Sequence, residues 1–426
     1  MDIWLIKAGE VLPLGQDGRK MRTALLADKL SERGHRVMWW TSAFDHFKKD
    51  WIFPDDREVR IGNNVRILAL KGFGYKKNIS IARFYDHRQL ARKFRKLAPG
   101  FKRPDIIVTA MPSYDLAYEA VIYANAIKVP VLVDIRDAWP DIFLDQVPNG
   151  LKAVLRLALY GEFRTLKKTL KKADGMISMM NTLLEWGLNH AGRQRTWKDK
   201  VFYLGHRENR RPADGGEKLG RLKAELSGKF VVTFIGTFAS YHNPSILVDC
   251  AKKMAEVKDI TFVLAGNGEF LEGVRRKSEG MPNVKLPGWL SQSEISELLS
   301  RSSVGICTTA RKAEFFPNKA FAYLSAGLPV ISAFDGDLKE VLEEYGIGFS
   351  YPPNDAEALA GCVRRLYEDK ALYKRMSEKA LKVFKEQFDA SKIYESYSEH
   401  IEQVASTQEK EEGVRGYKER IRKRVS

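Results

Sequence analysis

Residues 314–331, EFFPNKAFAYLSAGLPVI, place an acid, a proline and a lysine at what reads as the start of a helix. Pro317 suits a first helical turn, where its missing N–H has no partner to lose. The backbone N–H groups of Asn318 and Lys319 then lack intrahelical acceptors, and such a helix end attracts anions. Lys319 adds a full positive charge against the helix dipole, which asks for a compensating negative group. A diphosphate meets that need. Glu314, on the loop just before, stands where it can accept hydrogen bonds from sugar hydroxyls beside a diphosphate. The same residues also fit a plainer account, in which Glu314 caps the helix and Lys319 is solvated.

The elements that must position these residues are legible as short apolar runs alternating with helical patterns. In the first half the predicted strands are 2–8, 36–40, 64–70, 105–110, 129–135, 175–180 and 201–204. In the second they are 229–236, 260–266, 283–288, 303–309, 329–333 and 346–351. Met21 to Gly34 reads as a helix with Leu25, Leu26, Ala27 and Leu30 on one face. Continuous apolar runs separated by helices indicate parallel strands buried on both faces, the pattern of a doubly wound α/β domain. The expected organisation is a domain over 1–205, a polar linker over 206–228 with one short helix, and a second domain over 229–385. A helical stretch over roughly 373–404 follows; its end, 386–406, is expected as a C-terminal helix that packs back on the first domain, ahead of a frayed basic tail, 407–426. In open α/β sheets ligands bind outside the carboxyl ends of the strands, so two such domains would face a shared cleft.

The 426 residues carry a net charge of +17, which points to an anionic partner. The charge is local. Residues 76–103 hold ten Lys/Arg against Asp86 alone, and 151–172 hold seven against Glu162 alone. Three cysteines without CxxC or Cys/His spacing speak against a disulfide framework or a zinc site. No apolar run approaches the roughly 20 residues that span a bilayer, and the N-terminus reads as a strand, so a cytoplasmic protein is expected. His35 and His87 fit surface or core positions.

The stretch from Glu314 to SAGLPVI resembles the donor-site segment of retaining GT-B glycosyltransferases, family 4, and PNKAFAY is similar to the form found in the bacterial surface-polysaccharide branch. The matches run along nearly the whole chain. LPLGQDGRKMRTALLADKLSERGHRV (12–37) resembles the N-terminal glycine loop and helix, with Gly18 and Arg22 on the acceptor side. VPVLVDIRDAWPD (129–141) resembles the DxRDxWP segment that carries Arg136 and Asp137. LAGNGE (264–269), with Gly266 and Gly268, and the segment 284–309, with Gly288 and Trp289, are similar to the parts that meet the nucleoside. FIGTFASYHNP (234–244) aligns with the segment that presents an arginine and a lysine to the diphosphate; here those positions, beside Gly236, are Thr237 and His242. Ala322 stands where the family has a second glutamate on the donor ribose.

The resemblance implies a GT-B fold and transfer, with retention, from a nucleotide-diphosphate sugar, with a UDP-linked N-acetylated or deoxy sugar as best guess. The acceptor it implies is a lipid-linked glycan in surface polysaccharide synthesis. Glu314, Arg136 and Asp137 are the catalytic candidates; Lys319, Asn318, Phe316, Gly236, Thr237 and His242 are the donor diphosphate and sugar contacts. No cofactor or metal is expected. The window 81–97, in which Ile81, Phe84, Leu90, Phe94 and Leu97 interleave with six Lys/Arg, reads as a basic amphipathic helix for an anionic membrane surface; 151–172 is a second candidate. Nucleic acid is not expected, because no recognisable module accompanies the charge. Two rival readings keep the same fold: a catalytically silent scaffold, favoured by Ala322, Thr237 and His242, and a sugar-nucleotide epimerase, which needs no acceptor face.

Overall fold

Every predicted strand of the first half finds its place in one sheet, together with an eighth strand, Arg57–Ile61, that was not predicted. These are β1 (Asp2–Ile6), β2 (Arg36–Ser42), β3 (Arg57–Ile61), β4 (Val65–Leu70), β5 (Ile106–Ala110), β6 (Val131–Ile135), β7 (Gly175–Ser178) and β8 (Lys200–Val201). The structure, a computed structural model, describes residues 1–14, 20–207 and 220–425, without side-chain detail at 221 and beyond 407. It divides into one unit of Met1–Tyr203 with Tyr394–Ser426, and another of Leu204–Ile393.

The first sheet has the order β8-β7-β6-β5-β1-β2-β4-β3, all parallel except β3, which is antiparallel to β4. β3, REVRI, escapes the sequence reading because an edge strand with solvated side chains has no apolar run. The chain leaves β1 toward β2 on one side and returns through β5 on the other. The switch point, where such sheets open a crevice, therefore lies between β1 and β5.

Helices α1 (Arg22–Glu32), α2 (Ile81–Leu97), α3 (Tyr114–Ala126), α4 (Asn149–Ala158) and α5 (Tyr160–Lys172) follow in this unit. The first basic window is corrected here. α2 turns Leu90, Ala91 and Phe94 into the core, where Phe94 meets Trp40 edge-on at 4.9 Å and Trp4 stacks on Tyr123 at 5.6 Å. Its apolar side is thus mostly spent on packing, and its Lys/Arg other than Arg83 are the solvated back of a core helix. α4 is the opposite case: it buries no residue, and Leu151, Val154 and Leu157 are 55%, 65% and 76% exposed.

In the second unit β9 (Phe230–Ile235), β10 (Ile260–Ala265), β11 (Val284–Gly288), β12 (Val304–Cys307), β13 (Val330–Ser332) and β14 (Gly348–Ser350) form a parallel sheet, in the order β11-β10-β9-β12-β13-β14. α6 (Asn318–Ser325) lies against it and buries every side chain from Ala320 to Ser325. Tyr323 anchors the helix. Its hydroxyl accepts from the Ile235 N–H at 2.9 Å and donates to the Ile306 carbonyl at 3.3 Å, while its ring fills the space a side chain at Gly305 would need.

The stretch expected as one helix over 373–404 is two, α7 (Lys370–Val383) and α8 (Ala390–Val425). Asp389 breaks them with extended backbone and accepts the Ser391 N–H at 2.7 Å, as an N-cap does. Where a frayed tail was expected after Ser406, the helix continues through Val425. Within the first unit, Tyr397 stacks on Phe202 at 4.6 Å and Glu402 takes two bonds of 2.7 Å from Arg33.

Candidate functional site

In the second unit the loops at the carboxyl ends of β9, β10 and β11 are laced together backbone to backbone. Gly236 N–H donates to Ala265 O (3.0 Å), Gly266 N–H to Gly288 O (2.8 Å) and Phe238 N–H to Asn267 O (2.9 Å). Gly266 and Gly268 hold φ near +150°, and a Cβ at Gly266 would collide with the Gly236 carbonyl. These glycines therefore allow one loop to lie directly on the next. Gly236 has a different neighbour. A Cβ there would sit 2.7 Å from Lys319 Nζ.

Lys319 belongs to the first turn of α6, after Pro317 in extended backbone at the N-cap. No described residue accepts from the N–H of Asn318 or Lys319. The lysine stem is part-exposed, but its Nζ is buried, has no hydrogen-bond partner and lies 4.0 Å from the centroid of the Phe234 ring. Burial pulls its pKa down to about 8. A buried ammonium without a partner is costly, and an anion beside the helix amides would relieve that cost. His242 is half-buried nearby; burial, then the Lys319 charge, lower it to about 4, so it is neutral at pH 7. Its Nδ1 lies 3.4 Å from Thr308 O.

The remaining donor-side residues separate clearly. Glu314 and Thr237 are exposed, and Glu314 pairs with Asp335 in an isolated parallel bridge. Trp289, immediately after Gly288, is 65% exposed. Phe316 departs from expectation: its ring is 3% exposed, stacked on Phe321 at 4.3 Å and edge-on to Phe388 at 5.4 Å. Its side chain belongs to the core. Ala322 is buried in α6.

In the first unit Arg22 and Arg136 converge on one carboxylate. Asp134, at the end of β6, is fully buried and accepts from Arg22 Nε (3.0 Å) and Arg136 Nε (2.8 Å). Arg136 also pairs with Glu10 and donates to Thr23 Oγ1 at 3.0 Å. Arg22 donates to Phe202 O at 2.7 Å. Two guanidinium groups and two carboxylates balance, which is the condition for burying such charges. Arg136 thus has its donors engaged within the protein. Asp137, one residue on, lines a pocket of about 220 Å³ beside Lys7, Arg83 and His87, and burial raises its pKa. Gly18 lies outside the described residues.

The overall arrangement is shared with solved glycosyltransferases. Anabaena HepE in complex with UDP superposes with a TM-score of 0.66 at 16% identity, covering 95% of this chain and 100% of the other. Sucrose-phosphate synthase from Thermosynechococcus elongatus gives 0.70 at 17%, covering 95% and 99%. The fold is GT-B. Residues 221–383 match the family of glycosyl transferases group 1. Among curated proteins, the Escherichia coli O-antigen chain mannosyltransferase C is 24% identical over 176 residues, 41% of this chain and 46% of that protein. The Niallia circulans 2-deoxystreptamine N-acetyl-D-glucosaminyltransferase is 26% identical over 144 residues, 33% of this chain and 36% of that protein. The matched stretches thus span less than half of these curated relatives.

Within the GT-B frame, the structure brings Lys319, Asn318, Gly236 and His242 together in one unit. In the other it brings Arg22, Arg136 and Asp137 to the ends of the strands. Asp134, which holds both arginines, and Glu10, which holds Arg136, were missed by sequence reading, as were Lys7, Arg83 and the pocket role of His87. A signal existed for Lys7, a charge directly after the apolar run of β1, and for Asp134, an acid inside β6.

Proposed function

We propose that this GT-B protein is a retaining glycosyltransferase that moves a sugar from a UDP-linked donor to a lipid-linked glycan acceptor of a surface polysaccharide. The observation that carries the reading is the buried, unpartnered Lys319 ammonium at the start of α6. Glycosyl transfer builds negative charge on the departing diphosphate, and a preformed cation with free helix amides stabilises that charge without reorganising. The same charge stands where a metal ion would serve, so no metal is needed in this reading. Glu314 holds hydroxyls of the donor sugar, and Trp289 offers an exposed face to the base. Asp137 orients the acceptor, while Arg136 acts through Asp134 and Glu10 as a brace. The UDP complex of HepE and the name of the E. coli relative favour this donor and acceptor class.

The membrane face in this reading is α4 with α5. The exposed Leu151, Val154 and Leu157 lie among Lys152, Arg156 and the lysines of α5, a composition suited to an anionic interface.

The deciding experiment is calorimetric titration with UDP, GDP, ADP, CDP and dTDP. One nucleotide is expected to bind the wild type, with affinity falling at least roughly 30-fold in Lys319→Met, as for a lost charge-assisted contact. Retained affinity in the variant would remove the assignment. A second reading, a silent scaffold, is favoured by the buried Ala322 and the neutral His242; nucleotide binding to none of the five would put it first.

A further inference from the structure

The pocket of the first unit is built at the switch point of the sheet. Lys7 follows β1, Ser42 ends β2, Pro112 and Ser113 follow β5, and Asp137 follows β6. Its volume, about 220 Å³, is below the roughly 300–1,000 Å³ of drug-sized sites, which suits one sugar ring.

The charges that line it are unequally satisfied. Asp86 accepts the Gly74 N–H at 2.8 Å and a bond from the Phe73 backbone; Asp137 accepts from the Ala138 backbone and the Trp139 side chain. The basic groups are not served in this way. Lys7 is 8% exposed, and no described residue forms a hydrogen bond or ion pair with its Nζ. Arg83 is held by ring contacts, 4.6 Å over Trp139 and 5.5 Å over Tyr75, and donates from NH1 to Asn78 O, yet its Nε is buried without a partner. His87 is 6% exposed, with no described hydrogen-bond partner on its ring. Burial and the neighbouring cations keep His87 at about 3 and His46 at about 4, so both are neutral at pH 7. The pocket therefore presents two cations with no ion pair among the described residues, two neutral imidazoles, and two carboxylates that balance the cations in charge but are hydrogen-bonded by the protein. An anionic group on an occupant would give Lys7 and Arg83 the direct ionic partner that no described side chain supplies.

We propose that this pocket binds a single sugar residue carrying an anionic substituent, a carboxylate or a phosphate, with Lys7 and Arg83 on the anion and Asp137 and Ser113 on ring hydroxyls. The inference deepens the glycosyltransferase reading, and rests on it for the role of that sugar as acceptor: the acceptor end is acidic. The anion-binding site itself rests on the pocket alone.

The test is equilibrium titration of the full chain with methyl β-D-glucuronide, glucose 1-phosphate, inorganic pyrophosphate and the uncharged methyl β-D-glucoside. It is run on wild type, Lys7→Met, Arg83→Gln and Lys319→Met, with UDP as the control for the second unit. The charged sugars are expected to bind wild type and Lys319→Met alike, at least about ten-fold tighter than the glucoside, and to lose at least about ten-fold in Lys7→Met and in Arg83→Gln. UDP binding is expected to be unchanged by Lys7→Met. Preference for glucuronide identifies a carboxylate, preference for glucose 1-phosphate a phosphate monoester. Equal binding of charged and uncharged sugars overturns the proposal; so does tightest binding of pyrophosphate alone, a loss that follows Lys319→Met instead of Lys7→Met, or no binding of any charged sugar. If the charged sugar binds through Lys7 while no nucleotide binds the second unit, the pocket stands and the glycosyltransferase reading falls.

Discussion

Lys7 and Lys319 are the same residue type in the same kind of place, beside loops at the carboxyl end of a parallel sheet, and burial brings both to about 8. Their surroundings differ. Around Lys319 stand a phenyl ring, a buried thiol and a neutral imidazole; no described carboxylate pairs with it. Lys7 feels Arg136 and Arg83 pushing its proton off, and Glu10 and Asp134 holding it on. A lone cation beside helix amides selects for anionic charge and little else. A cation set among arginines, imidazoles and hydrogen-bonded carboxylates can also read hydroxyls, because acceptors and donors surround one small volume. In the proposed reading the two units use one device, the buried lysine, for different degrees of discrimination.

The sharpest way to break that contrast is through the residue that organises the first unit. Asp134→Asn leaves Arg136 with Glu10 and Arg22 with no described carboxylate at all, and breaking a buried ion network costs about 3–5 kcal/mol. Urea denaturation should show a loss of that order, with UDP affinity retained wherever the protein remains folded. A loss within about 0.5 kcal/mol, the range of ordinary surface substitutions, would mean that the network is not structural. Asp134 is held below the usual carboxylate range by the two arginines, despite burial. Its contribution is therefore present above the unfolded pKa and disappears as pH falls through its lowered folded value.

Next comes the cost of keeping Lys319 ready. Its folded pKa, about 8, is below the ordinary 10.5, so at pH 7 the charge opposes folding by up to roughly 3 kcal/mol at 1.36 kcal/mol per unit. Lys319→Met should be more stable than wild type at pH 7. That advantage should shrink as pH rises from about 8 to 10.5, where only the unfolded chain still holds the extra proton. Nucleotide affinity should move the other way: in wild type it should weaken above pH 8, as the free lysine loses its proton. A variant no more stable than wild type at pH 7 would show that the ammonium is not buried in solution. The smallest expected effect is at the base. Trp289→Ala should weaken nucleotide binding by roughly 1–3 kcal/mol, the worth of stacking one base on an aromatic ring, without altering binding of charged sugars in the first unit. Unchanged affinity would move the base elsewhere.

Much of this was legible without coordinates. Thirteen predicted strands appear, because a strand buried on both faces must be a continuous apolar run. The helix start at Pro317 and the unaccepted amides of Asn318 and Lys319 follow from local backbone chemistry, which is written within a few residues. The edge strand β3 and the break at Asp389 were not legible, since one lacks an apolar pattern and the other depends on a cap chosen in place of helix continuation. The basic window 81–97 shows the limit of pattern. Its periodicity is amphipathic in either case, and only the presence of Trp40 beside Phe94 decides that the apolar side faces the core. Phe316 is decided the same way, by Phe321 and Phe388.

By itself, then, the sequence determined the two α/β units, the order of their strands along the chain and the helix that begins after Pro317, because each depends on neighbours in sequence. Tertiary structure decided which charges are satisfied. Asp134 draws Arg22 to itself across 112 residues, and Lys7 is left without a partner although Glu10 is three positions away. Charge satisfaction is a property of distances in space, and no local pattern encodes it.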